Sequence, residues 1–377
     1  MKKIKKNICI TINSLSRGGA EKQCLLLARA LKPYHNVTVL ILNPEPIYPP
    51  RQLFIEEEGL QHRFLSKNPI KKFLGFIRFL KNNQTDIIFS FLPTDTIVSA
   101  ICGKIAGVSL IFGGIRNSYM PKAKFIALKW ANNYLLNYTI ANNFAAYHAA
   151  LEQGFKKSVF VISNGIDVIP LVKKSKEEIK SISIISLGRL VAQKEYGTAL
   201  KVIANLKEIL DARYSITYTI VGEGPEKDNI TKDIEILGLE NEVTIVTNAS
   251  DIYGMLGTAD IYLCSSSFEG VSNAIMEAMN CGLPIVATNA GDNARLVVDT
   301  TNGFIAPIHD TTALAECLKK LIQSPELRFK MGIASHTHLT TYFSYQTFQE
   351  NYLKLIENSN AMQIANGEVY SGKTNVS

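Results

Sequence analysis

No apolar stretch in the 377-residue chain approaches the ~20 residues that a membrane-spanning helix needs, which excludes an embedded helical protein. Cysteine is scarce: the six, at positions 9, 24, 102, 264, 281 and 317, are scattered and form no CxxC pair. That disfavours a disulfide or zinc framework and reads as small buried hydrophobes in a reducing cytoplasm. The basic start, Met1-Lys2-Lys3-Ile4-Lys5-Lys6, lacks the apolar length and small-residue cleavage site of a secretory leader. There is no GxGxxG fingerprint, so nicotinamide or flavin binding gains no support. Acidic side chains are few in the first half, where residues 1–165 carry 8 Asp and Glu against 22 Lys and Arg.

What is present is ordinary for a folded protein, with 46% hydrophobic and 19% charged residues. The length favours two domains over one core. The net charge of +7 conceals an asymmetry, because residues after 165 hold 18 basic and 25 acidic side chains. A basic half joined to an acidic one suggests a domain that faces a polyanion: nucleic acid, an anionic membrane surface or a diphosphate-bearing acceptor. A generically basic surface is the plainer alternative.

Strand-like apolar runs alternate with amphipathic segments from end to end, the pattern of an α/β fold with parallel sheets. In the first half, strands are predicted at 8–12, 37–42, 86–91, 110–113, 138–141 and 159–162, with helices at 20–31, 70–81, 96–106, 122–136 and 143–152. The polar stretch Lys173-Lys174-Ser175-Lys176-Glu177-Glu178 reads as a linker, after which the pattern restarts. Strands are predicted there at 182–187, 216–221, 243–246, 261–264 and 284–287, with helices at 195–210, 225–237 and 272–281. A final helix is predicted at 344–357, and residues from about 361 read as a frayed tail.

Four short segments fall at predicted strand ends. Ser16-Arg17-Gly18-Gly19-Ala20-Glu21 places two glycines before a helix, where backbone amides can approach a ligand. Alone, a Gly-Gly turn is more often just a turn. Gly188-Arg189-Leu190 with Lys194 offers two cations, a bidentate fork and a point charge, that suit a diphosphate. Gly222-Glu223-Gly224-Pro225 reads first as a tight strand-to-helix turn.

The fourth segment, Ser267-Phe268-Glu269-Gly270-Val271-Ser272-Asn273-Ala274-Ile275-Met276-Glu277, is the most informative. Two carboxylates stand eight positions apart, with a glycine and a helix-opening Ser-Asn pair between them. Amides and a helix dipole suit phosphate, and the carboxylates suit vicinal hydroxyls. Glu277 among Ala274, Ile275, Ala278 and Met279 argues against a fully exposed helix face, whereas Glu269 before a glycine also fits a simple turn.

Together these segments resemble the retaining GT-B glycosyltransferases, particularly glycosyltransferase family 4, almost continuously from about 183 to 320 and more thinly before that. Gly282-Leu283-Pro284-Ile285-Val286-Ala287-Thr288 and Asn302-Gly303-Phe304 reinforce the likeness. The resemblance implies two Rossmann-like domains facing each other across a cleft. Residues 1–165 would bind the acceptor and 166–343 the nucleotide sugar, with a helix at 344–360 crossing back to the first domain and a tail at 361–377.

It also implies that Arg189 and Lys194 bind the donor diphosphate, and that Glu269 with the amides of Gly270, Val271, Ser272 and Asn273 holds the donor sugar and distal phosphate. Glu277 would bind the ribose, and Gly18 and Gly19 would line the cleft. Gly222 and Asn248 would lie against the donor, the latter near the base. No metal ion and no cofactor is implied beyond the nucleotide-diphosphate sugar, with a UDP-sugar favoured. Many members carry a histidine after a central first-domain strand; here that stretch reads Phe112-Gly113-Gly114-Ile115-Arg116-Asn117-Ser118, leaving Arg116 or Asn117 as its replacement. Gly291-Asp292-Asn293-Ala294-Arg295 likewise lacks a glutamate common in the family.

The expected activity is transfer of a hexose or N-acetylhexosamine to a lipid-linked saccharide or other surface-glycan precursor. The alternatives are a GT-B epimerase or phosphorylase, or a non-catalytic nucleotide-sugar binder. Basic and aromatic residues in 70–81 and 119–134 suit the anionic inner face of the cytoplasmic membrane, although both segments also read as sheet-packing helices with solvated lysines. Nucleic acid is not an expected partner.

Overall fold

The computed structural model describes residues 4–116, 120–171 and 181–360. The linker at 173–178, Asn117 and the tail at 361–377 lie outside them. The chain divides into two compact units, one of Met1–Gly165 with the segment from Tyr345 onward, the other Ile166–Ser344.

In the first unit strands and helices alternate: β1 (Asn7–Ile12), α1 (Gly19–Leu31), β2 (Asn36–Ile41), α2 (Pro49–Glu57), β3 (Gln61–Phe64), α3 (Pro69–Asn82), β4 (Ile87–Ser90), α4 (Pro93–Ala106), β5 (Leu110–Ile115), α5 (Lys122–Tyr134), β6 (Tyr138–Ala141), α6 (Phe144–Glu152) and β7 (Val159–Val161). The seven strands form one sheet in the order β3-β2-β1-β4-β5-β6-β7. All pairings are parallel, with Ile8 opposite Val37 on one side and Ile87 on the other. Parallel strands need helical crossovers on both faces, so they are buried and read as unbroken apolar runs, as Ile87–Ser90 shows. The edge strand β3, with sequence QHRF and only partial burial, carries no such signal.

Local chemistry sets the helix limits. The Asn68 side chain accepts from the Ile70 and Lys71 amides at 3.0 and 3.1 Å, with Pro69 in the first turn of α3. Gly107, in the left-handed region at φ 82°, ends α4.

The second unit continues with β8 (Ser181–Leu187), a 3₁₀ turn at Ala192–Lys194, α7 (Tyr196–Ile209), β9 (Ser215–Val221), α8 (Lys227–Ile236), β10 (Val243–Val246), α9 (Ile252–Thr258), β11 (Ile261–Cys264), α10 (Asn273–Asn280), β12 (Ile285–Thr288), α11 (Asn293–Leu296), β13 (Gly303–Ala306), α12 (Thr311–Gln323) and α13 (Pro325–Tyr342). Its sheet is parallel, in the order β10-β9-β8-β11-β12-β13. Ile184 pairs with Tyr218 of β9 and Ile261 of β11. One apolar cluster packs α7 and α12 on this sheet, and another packs α10 and α13.

The chain then returns to the first unit as α14 (Tyr345–Asn360), whose Phe348, Tyr352, Leu355 and Ile356 join the cluster around β1 and α1. Gln349 Nε2 donates to the Ala30 carbonyl at 2.8 Å, and the Arg29 guanidinium lies 4.0 Å from the centre of the Tyr345 ring. Ile166 bridges Ser344, so the chain enters and leaves the second unit at one place.

Each strand order reverses direction once, between β1 and β4 and between β8 and β11. In open α/β sheets the crevice beyond the carboxyl ends of the strands at that reversal is where ligands bind.

Candidate active site

In the second unit the loops leaving β8 and β11 meet at this reversal. The loop after β8 carries Arg189 and, at the end of the 3₁₀ turn, Lys194; the loop after β11 carries Ser265 to Ser272. They are laced together by hydrogen bonds from residues some 75 positions apart in the chain. The Ser267 amide donates to the Gln193 carbonyl at 3.0 Å, and Gln193 Nε2 donates to the Phe268 carbonyl at 2.6 Å. Ser265 Oγ donates to the Lys194 carbonyl at 2.9 Å.

Inside this lacing Lys194 Nζ lies 2.5 Å from Glu269 Oε1, which also accepts from Ser266 Oγ at 2.8 Å. The side chains are only 17% and 9% exposed, so this is not a solvated surface pair. Burial alone would lower the Lys194 pKa, but the Glu269 charge and hydrogen bond outweigh it and leave it raised, despite the nearby Arg189. Lys194 is a permanent cation in this position. Arg189 stands beside it and is exposed.

The remaining predicted donor residues of this unit follow directly. Gly270 and the buried Val271 lead into α10, and the Ser272 side chain accepts from the Ile275 amide as its cap, leaving Asn273 as the first helical residue. Glu277 is half-buried on α10 and faces Tyr253 of α9, whose phenol pKa is pushed up first by burial and then by the Glu277 charge.

Two glycines have steric work here. A Cβ on Gly291 would lie 1.9 Å from the Glu269 carbonyl oxygen, and the residue has φ +57°. A Cβ on Gly222 would lie 1.8 Å from the Gly188 carbonyl. Gly222 thus lets the turn after β9 close against the end of β8, and the Glu223 carboxylate accepts from the Asn248 amide at 3.0 Å, tying that turn to the next.

Asp292 donates its amide to the Gly270 carbonyl at 3.3 Å. Asn293 Nδ2 donates to the Thr288 carbonyl at 3.0 Å, bracing the end of β12. Sequence reasoning missed Gln193, Ser266, Tyr253 and the role of Gly291; only the Ser265-Ser266-Ser267 run hinted at a hydroxyl-rich loop.

In the first unit Gly18 caps α1 and Gly19 begins it. Arg116 stacks 4.2 Å from the centre of the Phe91 ring and donates to Asn164 Oδ1 at 3.1 Å. Burial lowers its pKa, while Tyr352, Cys24 and Glu21 act in the opposite sense. Arg116 is therefore bound into the end of this unit's sheet.

The fold, two parallel-sheet α/β units, is that of the GT-B glycosyltransferases. Residues 170–338 match the family described as "Glycosyl transferases group 1". Over 346 residues the chain is 25% identical to the N-acetylgalactosamine-N,N'-diacetylbacillosaminyl-diphospho-undecaprenol 4-alpha-N-acetylgalactosaminyltransferase of Campylobacter jejuni, covering 85% of this chain and 91% of that protein. It is 27% identical over 207 residues to the lipopolysaccharide core biosynthesis glycosyltransferase LpsE of Rhizobium meliloti, covering 54% of this chain. That match, like the one to LpsD of the same organism, spans only 59% of the relative's length. Among solved structures, Anabaena HepE in complex with UDP superposes with a TM-score of 0.82 at 20% identity, covering 94% of this chain and all of that one.

Proposed function

We propose that the protein is a retaining, metal-independent transferase of the family 4 type, moving a hexose or N-acetylhexosamine from a UDP-sugar to a lipid-linked saccharide of surface-glycan synthesis. The observation that carries this reading is the Lys194–Glu269 pair beside Arg189, set between a β8 loop and the start of α10 at the sheet reversal. A permanent cation and a helix amino end suit a diphosphate leaving group, which they stabilise as its charge develops. Glu269 and Glu277 would accept hydrogen bonds from sugar and ribose hydroxyls.

In the proposed reaction the acceptor oxygen bonds to the anomeric carbon on the face from which the diphosphate departs. The bond from that carbon to the diphosphate oxygen breaks with its electron pair, and the acceptor proton passes to the departing phosphate. No protein nucleophile enters. The Campylobacter relative's name, with its undecaprenyl-diphosphate acceptor, supports the acceptor class.

The first unit would hold that acceptor at a cytoplasmic membrane face. No helix of the described residues is long and apolar enough to cross a membrane. Yet α3, α4 and α5 lie side by side and expose Ile70, Phe73, Leu74, Ile126, Trp130 and Tyr134, interleaved with Lys71, Lys72, Lys122, Lys124 and Lys129. Apolar side chains among lysines suit an anionic bilayer surface.

The test is to incubate purified protein with UDP- and GDP-sugars and a polyprenyl-diphosphate saccharide pool, and to identify the product by mass spectrometry. Sugar added to lipid with α-configuration retained is the expected result; no transfer from any donor would overturn the reading. Sedimentation with phosphatidylglycerol but not phosphatidylcholine vesicles, lost in Ile126→Ser/Trp130→Ser, tests the membrane face.

A further inference from the structure

Three buried tyrosines surround the carboxyl end of β8. Two have partners within the fold: Tyr218 Oη lies 2.8 Å from Ser186 Oγ, and Tyr262 Oη donates to the Leu187 carbonyl at 3.3 Å. The third, Tyr196, begins α7 two residues after Lys194, and its hydroxyl is buried with no hydrogen-bond partner among the described residues. Buried hydroxyls without partners are rare, because burial strips their water and gives nothing back.

The position of this hydroxyl explains it. From where a Cβ on Gly188 would stand, Tyr196 Oη is 3.1 Å away and Lys194 Cε is 3.0 Å away. The hydroxyl and the stem of the cation that holds Glu269 therefore border the same point beside Gly188. Burial first, then Tyr218, Cys264 and Glu269, keep its pKa well above the usual phenol value, so it stays a proton donor. Gly188 contributes no side chain to cover it. An anionic oxygen drawn by the ammonium to that side of Gly188 would meet the hydroxyl.

We propose that Tyr196 is a further donor-binding residue, its hydroxyl donating to a phosphate oxygen of the nucleoside diphosphate once Lys194 turns from Glu269 to that diphosphate. The site thus holds a hydrogen bond in reserve, unmade without ligand and made with it. This inference rests on the nucleotide-sugar reading of the same site.

The test is Tyr196→Phe, which deletes one oxygen and leaves the ring in place. UDP and uridine are titrated into the wild type and the variant by calorimetry, with thermal unfolding of both proteins without ligand. The expected result is UDP affinity weakened roughly tenfold, uridine affinity unchanged, and a melting temperature equal to or above wild type because an unsatisfied group is gone. Equal UDP affinity in the two proteins would overturn the inference while leaving the nucleotide site intact. Equal losses for UDP and uridine would also overturn it, by showing a distorted pocket. A wild type that binds neither UDP nor any of GDP, ADP and TDP would bring down the parent reading, and the inference with it.

Discussion

Lys194 and Glu269, 75 residues apart in sequence, form an ion pair of 2.5 Å at the point where the second sheet reverses its strand order. Neither residue reaches the other by local geometry. The pairing depends on the Gln193–Phe268 and Ser265–Lys194 hydrogen bonds that stitch the two loops together. The pair is a structural element of the site and, in the proposed reaction, keeps the Lys194 cation ready for the departing diphosphate.

Lys194→Ala is therefore expected to do two separable things. It leaves a nearly buried carboxylate held by the Ser266 hydroxyl, costing about 1–3 kcal/mol of stability, below the full cost of a completely buried pair because both side chains retain some exposure. It also removes a transition-state cation, which lowers kcat by roughly 10²–10³. In Lys194→Met/Glu269→Gln, stability measured by urea denaturation should recover relative to the sum of the single changes, whereas kcat should not. Additive stability losses would show that the two charges are not coupled.

Gly291→Ala should damage the same site without touching a charge. The new methyl would fall 1.9 Å from the Glu269 carbonyl, and φ +57° is already unfavourable for alanine. Either the loop after β12 or the Glu269 segment must shift. A loss of about 1–3 kcal/mol with at least tenfold weaker UDP binding is expected, from urea denaturation and calorimetry. Full UDP affinity in a destabilised variant would mean that Glu269 does not depend on this contact.

Much of this was legible from the chain alone, for physical reasons. Buried parallel strands must be apolar throughout, so 243–246 and 261–264 coincide with β10 and β11. The largely exposed edge strand β3 carries no such apolar run, and neither does the nine-residue helix α2 that opens on Pro49-Pro50. The short strand β13 and helices α12 and α13 also went unassigned. The motif residues Arg189, Lys194, Glu269 and Glu277 could be named because their types are chemically distinctive. Gln193, Ser266, Gly291 and Tyr196 could not, since their roles arise only when loops distant in sequence are packed together. Tyr196 in particular reads as one more apolar-face residue until its hydroxyl is seen to lack a partner among the described residues.

Asp95 gives the first unit a pH dependence. It sits in the first turn of α4, wholly buried at that unit's own sheet reversal. Burial raises its pKa to about 8 and the neighbouring Glu21 adds to this, against amides at Asn13, Leu92 and Asp95 itself that favour the charged form. The folded chain thus keeps a proton that the unfolded chain releases above about pH 4. The stability linked to that proton is complete below about pH 4 and is lost as pH rises through about 8, at up to ~1.4 kcal/mol per pH unit. Asp95→Asn, which cannot release a proton, should flatten this decline, so that the variant gains on wild type between pH 5 and 8 in urea denaturation. A stability difference independent of pH would show that Asp95 is already ionised in the folded protein.

Glu195 offers a change that should improve the protein. It adopts φ 52° and ψ 44°, the left-handed region, between the 3₁₀ turn that ends on Lys194 and the start of α7 at Tyr196. A side chain there costs roughly 1–2 kcal/mol that glycine does not incur. The opposing terms are small: Thr198 Oγ1 donates to the Glu195 carboxylate at 3.2 Å, and His309, 61% exposed, lies 3.8 Å from it. Glycine also returns some entropy to the unfolded chain, which trims the gain. Glu195→Gly should therefore stabilise the second unit by about 0.5–1 kcal/mol, raising its melting temperature by roughly 1–4 °C for a unit of this size. Glu195→Val, branched at Cβ, should lower it, since a branched side chain tolerates this conformation least. Because the turn keeps its shape, UDP affinity should be unchanged in the glycine variant. A lower melting temperature for Glu195→Gly would mean that the carboxylate's contacts with Thr198 and His309 outweigh the backbone strain, and that the loop carrying Lys194 is held by that side chain rather than by its backbone.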